Sequence, residues 1–129
     1  MPVKFVAVQQ PELLARLSKW NAEVMGSDND PFYGAPCVLG VLADKSVPTY
    51  LYDGPLVMEN MLLASHALGL GACWIHRAKE TFSGEYGKSL LKKLGIEGEY
   101  EGIGNCIVGY PDIDPEKKPV KENRVYNIN

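Results

Sequence analysis

The chain has 129 residues, of which 46 % are hydrophobic and 22 % charged, with a net charge of −3. That length suits one core and so a single domain over residues 1–129, and the acidic balance argues against a nucleic-acid surface as the main business of the chain. The three cysteines, Cys37, Cys73 and Cys106, are odd in number and sit in apolar runs, so buried reduced thiols are expected rather than a disulfide framework.

In chain order, Val3 to Gln9 (VKFVAVQ) is rich in β-formers and short, which predicts a strand. Pro11 suits a first helical turn, and Leu13, Leu14, Leu17 and Trp20 then recur at helical spacing. Gly26 to Pro31 is a loop by composition. Pro36 to Ala43 (PCVLGVLA) is almost continuously apolar, as a strand covered on both faces should be. Asp44 to Gly54 reads as a polar connection. Pro55 to Leu68 is apolar nearly all round and predicts a buried central helix, closed by Gly69 and Gly71 as left-handed caps. Ala72 to Ile75 reads as a short strand, and Ala78 to Leu94 as one amphipathic helix ending at Gly95. Ile103 to Tyr110 (IGNCIVGY) is a further buried strand. Beyond a proline-punctuated loop, the last ten residues read as an extended arm whose Val125, Tyr126 and Ile128 need a surface to lie against. Alternating strands and helices predict a helix-covered sheet. Without a signal peptide or an apolar run long enough to span a membrane, the expected location is cytoplasmic.

Several chemistries lack their residues. There is no phosphate loop, and no pair of histidines stands at metal-ligand spacing. Gly69-Leu70-Gly71 starts a dinucleotide fingerprint, but Trp74 stands where its third glycine belongs and a helix, not a strand, precedes it. A Cys73–His76 nucleophile is disfavoured because residues three apart on a strand point to opposite faces. His66 reads as a hydrogen-bonded core histidine. His76 differs: it lies where a strand meets a helix, and free N–H groups at such junctions face outward toward electron-rich partners. A solvated His-Arg pair is the competing interpretation. Lys117, Lys118, Lys121 and Arg124 form a local basic cluster.

The run ENMLLASHALGLGACWIHRAKE, then LLKKLGI, YEGIGNCIVGYP and the basic tail, resembles the C-terminal part of the nitroreductase family of flavin-dependent oxidoreductases. The likeness continues upstream through DPFYGAPCVLGVLADK to VKFVAVQQPELLARL. It implies an α+β nitroreductase-like central sheet covered by helices, a homodimer, and FMN as cofactor. It implies that Trp74 and Ile75 pack near the isoalloxazine, and that the N–H groups of His76 and Arg77 face the ring's N5 and O4 edge. It implies a phosphate contact from Lys121, with Lys118 second; Val120 stands where a basic residue is expected. The implied reaction passes hydride from NAD(P)H through flavin to a nitroaromatic, quinone or similar acceptor, with no catalytic side chain of the protein. Family members carry an arginine-containing helix and a Pro-Ser-rich segment ahead of the strand that starts here at Val3, so the chain resembles an N-terminally truncated member. The alternative from a different class is a non-catalytic nitroreductase-like fragment that self-associates without flavin.

Overall fold

A computed structural model describes residues 2–128. Strand β1 (Val3–Val8) leads into helix α1 (Pro11–Met25); β2 (Cys37–Asp44) is followed by α2 (Tyr50–Ala67) and β3 (Gly71–Ile75). Two short helices, α3 (Ala78–Ser83) and α4 (Glu85–Lys93), precede β4 (Tyr100–Gly109). The strands form one sheet in the order β1-β2-β4-β3, and every neighbouring pair is antiparallel.

Alternation of side chains along the strands builds two cores. On one face Val6, Val8, Val38, Leu42, Ile75 and Ile107 meet Leu17 of α1, Ala78 and Phe82 of α3 and Leu91 of α4. On the other, Val3, Val41 and Cys106 meet Val57 and Met58 of α2. The central strands β2 and β4 are covered on both faces, which is why their sequences lack a polar alternation. One buried polar bridge crosses the first core: Asn105 on β4 donates its amide to Asn21 Oδ1 on α1 at 3.3 Å, and Asn21 donates in turn to Met25 Sδ.

The structure corrects several expectations. Helix α2 begins at Tyr50 rather than Pro55, and Pro55 lies inside it. Pro55 is the sixth residue, past the four N–H groups that lack partners at a helix start, so it takes away the bond to the Leu51 carbonyl; that loss falls on the exposed first turn, where Leu51 is 50 % exposed. Nor is α2 buried all round: only Gly54, Val57, Met58 and Ser65 are, while Leu56 and Leu63 are 65 % and 58 % exposed. Uniform apolarity describes the sequence of this helix; burial needs a second layer outside it, which none of the described residues supplies. His66 accordingly lies on the exposed side and is no core histidine. Gly69 does take the left-handed conformation (φ 74°), whereas Gly71 is already the first residue of β3.

The helix expected over 78–94 is broken at Gly84, which is extended (ψ 166°) between α3 and α4. Gly87 explains the tight fold-back, since a Cβ there would collide with the Thr81 carbonyl and the Phe82 backbone. Strand β4 starts at Tyr100, three residues before the expected Ile103. Of the three thiols, Cys106 is buried, Cys37 half-buried and Cys73 exposed, because β3 is an edge strand. Among the described residues, those after β4 have no regular structure, and Val125 and Tyr126 are exposed.

The loop before β2 is organised by Asp30. Its carboxylate accepts hydrogen bonds from the Ser18 hydroxyl and from the N–H groups of Phe32 (2.8 Å) and Gly34 (2.7 Å). Burial pushes the carboxyl up, but these hydrogen bonds together outweigh it and hold it below its ordinary value. A depressed folded-state pKa stabilises the fold above the unfolded value and loses that contribution as pH falls through the folded one. Asp30→Asn is therefore expected to cost about 1 kcal/mol near neutral pH, and the difference from the parent should vanish in urea titrations run at increasingly acid pH. An unchanged difference at acid pH would show that the charge is not what holds the loop.

Candidate functional site

The β3–α3 junction concentrates the unusual features. Strand β3 ends with Ile75 paired to Asn105, and the chain then turns through His76 and Arg77 into α3. Arg77 occupies the left-handed region (φ 78°, ψ 13°) as the residue preceding α3. Its carbonyl is fixed by the Thr81 N–H at 3.1 Å and the Thr81 hydroxyl at 2.9 Å, and its guanidinium reaches Glu80 at 2.9 Å. Among the described residues no hydrogen bond takes the N–H of either His76 or Arg77. Two adjacent backbone donors thus emerge at the end of an edge strand without a protein acceptor.

The left-handed conformation costs an L-residue with a Cβ roughly 1–2 kcal/mol, which the exposed Arg77–Glu80 pair offsets only partly. Arg77→Gly should change stability little, whereas the β-branched Arg77→Val should fall about 1–2 kcal/mol below the glycine variant in urea melts. Equal stability of the two would mean that the turn is not held as described.

Strand β4 shapes the other side of this junction through a bulge. Val41 pairs with Gly104 and Leu42 with Gly102, leaving Ile103 as the extra residue, and a bulge re-aims its side chain. Ile103 turns toward α2, where Gly54 makes room for it: a Cβ on Gly54 would stand 2.5 Å from Ile103 Cγ1. Gly102 lets the Ala78 carbonyl settle on the strand, and Gly104 lets the Trp74 indole lie across it. These glycines escaped the sequence reading. The available signal was Gly-Ile-Gly inside an otherwise apolar strand, a pattern that marks a bulge or close backbone approach.

Trp74 and Ile75 point to opposite faces, as neighbours on a strand must. The Trp74 ring packs with the α2 core and lies 5.7 Å from the His76 ring, centroid to centroid; its Nε1 is buried without a hydrogen-bond partner. Ile75 is buried in the opposite core at 7 % exposure, so its side chain is committed to packing and only its backbone can serve a ligand. His76 is exposed and shares a cleft of about 480 Å³ with Arg77, Lys79, Glu80, Met25 and Ile103. Lys118 and Lys121 are not brought to this cleft. They lie in the exposed irregular stretch after β4, which departs beside Gly71, the end of β3 remote from His76.

Two of the thiols, Cys106 and Cys37, do not supply a nucleophile. Burial, followed by the neighbouring Cys73 and Cys37, pushes the Cys106 thiol up to about 11, and burial also raises Cys37. Neither is a thiolate at neutral pH. Among the described residues no cluster of His, Cys, Asp or Glu could hold a metal ion, and no helix is long and apolar enough to cross a membrane.

The architecture recurs in solved structures. A nitroreductase with bound FMN from Bacteroides fragilis superposes with a TM-score of 0.85 at 22 % identity, covering 99 % of this chain and 76 % of that one. An FMN-dependent nitroreductase from Clostridium difficile gives 0.81 at 24 % identity, over 98 % and 78 % of the two chains. An oxidised iodotyrosine deiodinase bound to FMN and 3-iodo-L-tyrosine gives 0.69 at 25 % identity, over 97 % and 75 %. Comparison with curated proteins gives no match. The fold is thus the α+β arrangement of the nitroreductases, an antiparallel sheet between helical layers. The chain belongs to the nitroreductase family, whose profile matches residues 9–110.

Proposed function

We propose that this protein is an FMN-dependent oxidoreductase that takes hydride from NAD(P)H and passes electrons to a nitroaromatic, quinone or similar acceptor. The observation that carries the reading is the pair of unclaimed N–H donors of His76 and Arg77. A flavin ring presents acceptors along its N5–O4 edge, so the donors fit the group. When bound, FMN would supply hydride chemistry at N5, the position where aligned dipoles have the greatest leverage on electron uptake. In this reading the backbone of Ile75, His76 and Arg77 fixes the ring edge, and Trp74 backs the strand that presents it. Lys121 or Lys118 supplies a cation to the phosphate by running back along the sheet or from a second copy.

A homodimer is part of the proposal. Leu51, Tyr52, Leu56, Leu63 and Leu68 expose apolar side chains on or just beyond α2, and an uncovered apolar helix face favours self-association. The same observation is what favours the second reading, a self-associating nitroreductase-like domain without flavin.

The absorbance of the purified protein between 300 and 550 nm, before and after FMN addition and desalting, tests the cofactor. Retained flavin bands that bleach with NADH or NADPH and return on adding menadione are the expected result. A colourless protein that discards FMN yet sediments as a dimer would replace the enzyme reading with the association module.

A further inference from the structure

We infer that the His76 imidazole is the acid that protonates the acceptor in this cleft, an inference that rests on the flavin reading above. A two-electron acceptor needs a proton as well as a hydride. A quinone gains hydride from reduced flavin and a proton from the imidazolium, and becomes its hydroquinone. The flavin is thereby oxidised, and the imidazole takes a proton back from water. The donor must therefore sit beside the hydride source and stay open to solvent.

The ionisable groups lining the cleft are His76, Arg77, Lys79 and Glu80. Arg77 is paired with Glu80 at 2.9 Å, and a guanidinium does not release its proton under working conditions. Lys79 is paired with Glu101 at 3.2 Å. The carboxyl of Glu80 is held below its ordinary value, first by its own backbone N–H and, against a smaller effect of burial, by Arg77; it is ionised at neutral pH and has no proton to give. Cys73 points to the opposite face of the strand from Trp74 and His76. His76 is left: its side chain is exposed and has no hydrogen bond or ion pair among the described residues. Imidazole is also the side chain that gives and takes protons in the neutral range. Its place is set by the same two-residue turn that presents the backbone donors, so acid and ring edge move as one unit.

The test uses the FMN-loaded full chain and His76→Ala, with duroquinone as the proton-requiring acceptor and ferricyanide as one that takes electrons without protons. General acid catalysis contributes on the order of 10²–10⁴-fold. The variant should lose about 10²-fold in duroquinone turnover relative to ferricyanide turnover, and added imidazole should restore part of the loss. Independently of turnover, the imidazole C–H proton resonances of His76, told from those of His66 by His66→Gln, should move when FMN is added to the parent. An unchanged ratio of the two acceptors, or a His76 resonance indifferent to bound FMN, would overturn the assignment. Equal losses with both acceptors would also overturn it, since that marks a structural role. A parent protein that keeps no flavin after desalting fails one step earlier, removing the cofactor reading and the acid with it.

Discussion

Gly102→Ala is expected to lower the unfolding free energy by about 3 kcal/mol, at the upper end of what overpacking costs. A Cβ at this position would collide with the Ala78 carbonyl and crowd the Lys79 nitrogen at 2.9 Å. Both contacts are with backbone, so no rotamer change relieves them. Either β4 bends at its bulge or α3 lifts from the sheet. Lifting α3 displaces the turn through His76 and Arg77, so the variant should also lose whatever the parent binds there. A urea midpoint and a flavin-retention assay on the same sample separate the two effects. Gly84→Ala serves as the contrasting glycine: its φ of −68° suits any residue, and its added methyl would meet only the Glu80 and Thr81 carbonyls at 3.5 and 3.7 Å, ordinary van der Waals distances. A Gly102→Ala protein of parental stability would mean that α3 does not rest on β4 as described.

Phe82→Ala should cost about 3–5 kcal/mol, the range for emptying a buried aromatic site. Phe82 is 2 % exposed and anchors α3 to the first core. Its ring lies over Gly40 of β2, where an added Cβ would stand 2.9 Å from Cζ. That contact makes a sharper prediction than the single loss. Gly40→Ala should destabilise the parent, yet cost little or even fill space in the Phe82→Ala background. The two changes should therefore be strongly non-additive, as contacting residues are. Simple addition of the two effects would show that the ring and the glycine do not share the space assigned to them.

Much of this architecture was legible because its determinants are local. The short β-rich runs fixed four strands, and Pro11, Gly69 and Gly95 marked element ends by their own backbone preferences. What failed depends on partners. The break at Gly84 was hidden because 78–94 keeps helical spacing through it, and only the packing of Gly87 against Thr81 and Phe82 reveals why the chain turns there. The apolar circumference of α2 suggested burial, but one four-stranded sheet covers one side of a helix. His66 was misread for the same reason. At the site, the family likeness pointed to residues 74–77, while the geometry divides them: Ile75 belongs to the core, and His76 and Arg77 offer donors. Lys118 and Lys121 could be named from the tail's composition, but a segment without regular structure gives no register from which to place them.

The order β1-β2-β4-β3 also governs how the chain folds. The central ladder joins Cys37 to Val108 at one end and Asp44 to Tyr100 at the other, so α2, β3, α3 and α4 all lie within the loop that it closes. Closing so long a loop costs entropy before its contacts repay it, and such topologies fold slowly. Among the described residues strand β3 pairs only with β4, so the turn that carries the two free donors has no sheet to stand on until β4 arrives. Nascent chains released before Tyr100 would hold α1, β1 and β2 without any docking edge for β3. The turn through His76 and Arg77 is therefore a late product of synthesis, set in place only when β4 enters the sheet.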